Sequence, residues 1–193
     1  QSFVFMKITA GTIDLNASIQ SSVEPHVRSL DFDATTIRLG ADIAGSTRFK
    51  ANTVIVDAPQ VKVSGVTVDL NAVNGLRADA DGRGLTVSGR DLWLPQMDSV
   101  PFLHAVDVDQ GCLCETDIHF ASMKSIRVGA SGTTPGSIKL DGYFQITGDT
   151  VFDTTGSATV DGGKVDLLNA TIFADAAGRG LSINTFGKKG GDV

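Results

Sequence analysis

The sequence predicts an all-β protein: two related antiparallel β units, elongated, closed as a sandwich or in a β-solenoid-like manner, with very little helix. Three observations carry this. Apolar and polar residues alternate with a period of two in one segment after another. Glycine is abundant, with 22 residues against 5 prolines, among many threonines, serines, aspartates and valines, a composition of turn-rich strands. The stretch ADADGRGLTV at 78 to 87 returns as ADAAGRGLSI at 174 to 183, which marks an internal repeat.

In TIDLNASIQ the apolar Ile13, Leu15, Ala17 and Ile19 alternate with Thr12, Asp14, Asn16 and Ser18, so one face of a strand is buried and the other wet. The same alternation predicts strands through Ile37, Leu39, Ala41 and Ile43, through Val54, Val56 and Ala58, and through Val66, Val68, Leu70 and Ala72. Helical spacing is scarce. IQSSVEPHVRSL comes nearest to it, but Pro25 in its middle would remove a helix hydrogen bond at a cost of about 3 kcal/mol. One short helical turn is expected near Phe120 to Ser125.

Asn74-Gly75 and Asp81-Gly82 are dipeptides that tolerate the positive φ angles of a tight turn, and they predict two consecutive hairpins. Across Ser64-Gly65 the alternation changes phase, from Val61 and Val63 to Val66 and Val68, which predicts a bulge or a corner at the glycine. Further matches extend the repeat upstream: VDLNA at 68 with VDLLNA at 165, and IRLGA at 37 with IRVGA at 126. The organisation expected is N-terminal strands over 1–28, a β unit over 29–94, a connector over 95–116, a second unit over 117–187 and a polar tail over 188–193. The two copies of Gly-Arg-Gly present Arg83 and Arg179 as solvated turn residues.

Formal net charge is −6, with both signs scattered and no basic stripe, which argues against nucleic acid as a partner. No run of apolar residues reaches the roughly 18 needed for a membrane span. The first residue, Gln1, is taken as the mark of a processed or excised chain, and the expected location is outside the cytoplasm, on a cell surface, in a periplasm or on a virion.

Ligand-type residues are densest in HAVDVDQGCLCETDIH, between the two units. His104, Cys112, Cys114 and His119 are the candidates for a metal site, yet Cys-x-Cys is tighter than the spacing of structural zinc sites, and no metal is expected. The run from Asp107 to Gly111 imitates the start of a calcium loop, but Ile118 stands where the bidentate acid belongs. Only three histidines are present, His26, His104 and His119, none beside a nucleophile motif, so neither catalysis nor a cofactor is expected. Trp93, the sole tryptophan, with Phe3 and Phe5 in the apolar N-terminal segment, are the candidate partner contacts.

Two functions from different classes fit. The first is a non-enzymatic structural or adhesive protein that associates with itself in a surface, virion or filament assembly; the short strands VIVDA, VKVSG and VTVDL resemble the rungs of β-solenoids and injection-device spikes. The second is a periplasmic carrier of lipid or another apolar ligand in an open groove, since residues 138–167 are similar in texture to repeats of lipopolysaccharide-transport and AsmA-type bridge proteins. In either case the N-terminal segment, crowded with apolar residues, is expected to add as a strand to a sheet.

Overall fold

The computed structural model describes residues 6–20, 29–80, 82–89, 91–94, 97–98, 102–107, 118–120, 125–127, 136–146, 148–156, 158–190 and 192–193. Among them the chain is all-β. In chain order the strands are β1 (Met6–Leu15), β2 (Ile19–Gln20), β3 (Ser29–Leu39), β4 (Ile43–Ala44), β5 (Ser46–Val56) and β6 (Val61–Ser64). There follow β7 (Thr67–Val73), β8 (Leu76–Ala78), β9 (Gly84–Gly89), β10 (Asp91–Leu94), β11 (Met97–Asp98) and β12 (Phe102–Asp107). The last six are β13 (Ile118–Phe120), β14 (Ser125–Arg127), β15 (Ser137–Ile146), β16 (Thr150–Asp153), β17 (Val165–Ala174) and β18 (Leu181–Asn184). Among the described residues no helix is long and apolar enough to cross a membrane. Residues 121–124, over which a helical turn is expected, lie outside the described set.

The strands are not antiparallel. Every pairing among the described residues is parallel. A parallel partner needs a long crossover, and here the crossover is made of strands belonging to other ladders. The separation between partners runs from 17 residues, Leu30 to Thr47, to 35, Phe102 to Ser137. Three ladders result. The first holds the N-terminal halves of β1, β3 and β5, then β7, β10, β13 and the C-terminal parts of β15 and β17. The second holds the C-terminal halves of β1, β3 and β5, then β8, β11, β14, β16 and β18. The third holds β2, β4, β6, β9, β12 and the start of β15 and β17. The chain passes from ladder to ladder and then returns beside its own previous pass.

This arrangement explains why the turn signals do not make hairpins. Asn74-Gly75 lies between β7 and β8, and Gly82 between β8 and β9, so each dipeptide takes the chain round a corner into the next ladder instead of reversing it. Gly82 has φ +74°, the left-handed conformation that glycine adopts without penalty. Gly65 is the corner that the phase change predicts. It sits between β6 and β7 against the carbonyl of Gly45 on the previous pass, and a Cβ on Gly65 would overlap that carbonyl. A Cβ at Gly89, the same corner one pass later, would lie 2.7 Å from the Gly65 carbonyl oxygen.

Alternation within each strand then produces apolar columns that run through the passes. In the second ladder Ile13, Ile37, Val54 and Leu76 follow one another in register, and Phe152 lies further along the same column; all five are buried. The third ladder stacks Ile43, Val63, Val87, Ala105 and Leu140 in the same way. In the first, the rings of Phe32 and Phe49 stack with centroids 5.4 Å apart. Each such side chain contributes about 1.5–3 kcal/mol of burial relative to exposure, and every pass adds several. The N-terminal segment joins this scheme from Met6 onward, where β1 pairs with β3.

Candidate functional site

Outward-facing positions form columns of their own, and neighbours in a parallel ladder lie only about 4.8 Å apart. Like charges at that distance repel, so the columns alternate in sign. Lys7, Asp31, Arg48 and Asp69 follow in register on the first ladder, with Arg48 Nε 3.1 Å from Asp69. Lys50 Nζ lies 3.3 Å from Asp33 of the preceding pass. A larger network forms where the second ladder turns toward the third. Arg38 contacts Asp57 at 2.7 Å, Asp79 at 3.7 Å and Asp14 at 3.9 Å, and Arg83 contacts Asp79 at 2.8 Å and Asp57 at 3.8 Å. The hydrogen bond to Asp57 raises the Arg38 pKa above its ordinary value, and the bond from Arg83 holds the Asp79 carboxyl below the usual carboxylate range. Exposed pairs of this kind contribute little singly. Their collective effect is register, because a slip by one pass would set like charges face to face.

Of the residues singled out for metal binding, His104 is on β12 in the third ladder. Its Nε2 lies 2.7 Å from Oδ2 of Asp141 on β15. An ionised carboxylate only accepts, so this nitrogen carries the proton. Asp141 also accepts from Asn169 Nδ2 at 3.2 Å and pairs with Lys139 Nζ at 3.2 Å. Burial pushes the Asp141 carboxyl up, while the bonds from His104, Asn169 and Lys139 outweigh that and bring its pKa below the ordinary value. With three donors around it this carboxylate is engaged in joining β12, β15 and β17. His119 lies in another ladder, its backbone between Trp93 and Gln145, and Cys112 and Cys114 lie outside the described residues. Among the described residues no three His, Cys, Asp or Glu side chains are grouped to hold a metal ion. The structure therefore unites His104 with Asp141, Lys139 and Asn169, none of which the sequence reading singled out. A signal was present in SIKLDGYF, where Asp141-Gly142 breaks the alternation set by Ile138 and Leu140.

Trp93 is half-buried on β10, in register between Asp69 and His119. Phe3 and Phe5 lie outside the described residues. Arg83 and Arg179 are turn residues, each tied to the aspartate four positions before it, Asp79 and Asp175, at 2.8 Å.

Among the described residues a groove follows the bend between the first and second ladders. It has a volume of about 480 Å³ and crosses β1, β3, β5 and β7. Ala10, Ala34 and Ala51, in register, form its floor, with Ala34 and Ala51 packed into the core, so its exposed apolar surface is Ala10 and Ala72. Thr9, Thr35, Asn52, Asn74 and the Asp33–Lys50 pair supply polar groups, and Asn74 Nδ2 donates to Asn52 Oδ1 at 3.2 Å. At the bend the ladder keeps its register from Ala10–Ala34 to Thr12–Thr36 but skips the pair Gly11–Thr35.

Compared with family models, curated proteins and solved structures, the chain matches none.

Proposed function

We propose that the chain is a three-sided β-solenoid with a non-enzymatic, structural or adhesive role, working outside the cytoplasm in a cell-surface, virion or filament assembly. The observation that carries this reading is the continuity of the three parallel ladders, which commit the inward side chains to a closed core and leave the outside as repeating columns. A repeating outer surface suits many weak contacts in a line, as adhesion and assembly require. The core argues for this role over an apolar carrier, since the inward apolar positions among the described residues between Ile37 and Val165, which a carrier would leave open, are buried.

Self-association belongs to the same proposal. Among the described residues β17 forms a strand ladder only with β15 and β18 only with β16, Val165 at the start of β17 also donating to the Asp192 carbonyl, and Ile172 and Ile183 are half-buried where Phe144 and Phe152 one pass earlier are fully buried. An edge of this length with apolar side chains beside it accepts another strand. Light scattering on the purified chain tests the reading: an assembly of discrete multiples is expected, and a monodisperse monomer at all concentrations would overturn self-association.

A further inference from the structure

We propose that the groove over β1, β3, β5 and β7 binds a neutral, hydroxyl-rich chain, that is, an oligosaccharide without charged sugars. The inference rests on the adhesive reading above and names what is adhered to.

Dimensions come first. Four parallel strands at about 4.8 Å spacing give a groove roughly 14 Å long, running across the strands along the direction of stacking. A volume of about 480 Å³ lies in the range of small-molecule sites and is open along its length, which suits an extended ligand with further units at either end.

Charge then narrows the class. The carboxylate of Asp33 and the ammonium of Lys50 are 3.3 Å apart and cancel, so the groove attracts neither a polyanion nor a cation. Its exposed apolar part is the methyl groups of Ala10 and Ala72, too little to enclose an acyl chain. The remaining groups are hydroxyls and amides. A hydroxyl both donates and accepts, and after the bond between the two asparagines Asn52 retains its two N–H donors and Asn74 its carbonyl. Donor and acceptor on adjacent passes match a ligand whose own hydroxyls do both. The exposed methyl groups of Ala10 and Ala72 offer contact to sugar C–H groups, with Thr9 and the Asp33–Lys50 pair on one side of the groove and Thr35, Asn52 and Asn74 on the other.

The test is calorimetric titration and saturation-transfer NMR of the whole chain with neutral hexaoses of β-linked glucose, α-linked glucose, mannose and N-acetylglucosamine, and with a hexaose of galacturonic acid. At least one neutral hexaose is expected to bind saturably and more tightly than the acidic one. The double variant Asn52→Ala/Asn74→Ala should weaken it about ten-fold or more with the thermal transition unchanged. Ala72→Arg, at an exposed position, should block the groove and give the same loss. Failure of all four neutral sugars to bind, preference for the acidic one, or binding indifferent to both variants would overturn the proposal. Assembly in light scattering is read separately, so loss of sugar binding with retained assembly refutes this inference alone.

Discussion

The stretches 68–87 and 165–183 are built alike and situated differently. In each, an aspartate accepts the backbone N–H two residues on: Asp69 from Asn71 at 2.9 Å and Asp166 from Leu168 at 3.2 Å. In both, the ladder register shifts at that point, and an aspartate later binds the arginine four positions on across a glycine of positive φ, +74° at Gly82 and +84° at Gly178. Both turns are pinned to the previous pass through the same bond, Asp79 N–H to Val56 and Asp175 N–H to Ile146, each 3.1 Å. Yet the first turn leads from the second ladder to the third and the second from the first to the second. Leu85 and Val87 are buried between passes, while their counterparts Leu181 and Ile183 are only half-buried. Local sequence thus determines the turn, and the neighbouring passes determine how much the following strand contributes.

The largest expected effect separates the two on stability. Leu85→Ala should cost about 2–5 kcal/mol, whereas Leu181→Ala, at a position already partly in water, should cost about 1 kcal/mol or less, measured by denaturant unfolding of the dilute chain. Equal losses would break the comparison. Repeating the pair at high concentration sharpens it, since an assembly that covers β18 should raise the cost of Leu181→Ala alone. Next in size, Gly82→Ala and Gly178→Ala should each cost about 1–2 kcal/mol and resemble one another, because in both the penalty is the left-handed conformation and a Cβ meets no neighbour within 4 Å. A marked difference would mean that the turns are not equivalent.

That likeness also shows what could be read in advance. The period of two identifies strands and faces, and it is indifferent to whether partners run parallel or antiparallel. Asn74-Gly75 and Asp81-Gly82 announce positive φ, which a hairpin and a corner both use, so the hairpin expectation followed from a signal that does not distinguish them. The phase change at Gly65 is a better guide, because a corner between β6 and β7 shifts the inward set from Val61 and Val63 to Val68 and Leu70. Stacking was written in the spacing of like residues, Ile13, Ile37, Val54 and Leu76, but the intervals of 24, 17 and 22 residues vary too much to reveal a period. Around His104 the sequence supplied one partner of a cluster whose others, Lys139, Asp141 and Asn169, stand at least 35 residues away and meet it only through the third ladder. The groove was less legible still, since Thr9, Asp33, Lys50, Asn52 and Asn74 are ordinary strand and turn residues until four passes bring them together.

A third contrast concerns acid. Asp141, buried and held below its ordinary pKa by the balance of burial against His104, Asn169 and Lys139, ties three passes together. Its folded pKa lies under the unfolded value of about 3.9, so its contribution is complete above that value and is lost as pH falls through the folded pKa. Asp141→Asn should therefore flatten the acid limb of the stability curve, followed by thermal unfolding between neutral and low pH. An unchanged limb would show that other carboxylates dominate it.

The smallest effect discriminates between the two turns by their company. Both Asp79 and Asp175 have lowered pKa values, in each case first through the arginine four residues on, and both contributions are therefore present at neutral pH and lost on acidification. Asp79, however, also lies 3.7 Å from Arg38 and within a network of five charges, whereas Asp175 depends on Arg179 and weaker backbone bonds. Removing Arg179 should return Asp175 close to the ordinary value of about 3.9, while removing Arg83 should leave Asp79 below it, held by its hydrogen bond with Asp57 and, less strongly, by Arg38. Carboxyl-carbon NMR titrations of the Arg83→Ala and Arg179→Ala chains read this directly. If both aspartates relax to the same value, the charges flanking Arg38 act as separate pairs and the network adds nothing. If Asp79 alone stays low, the same turn has acquired a different electrostatic role from the passes stacked beside it.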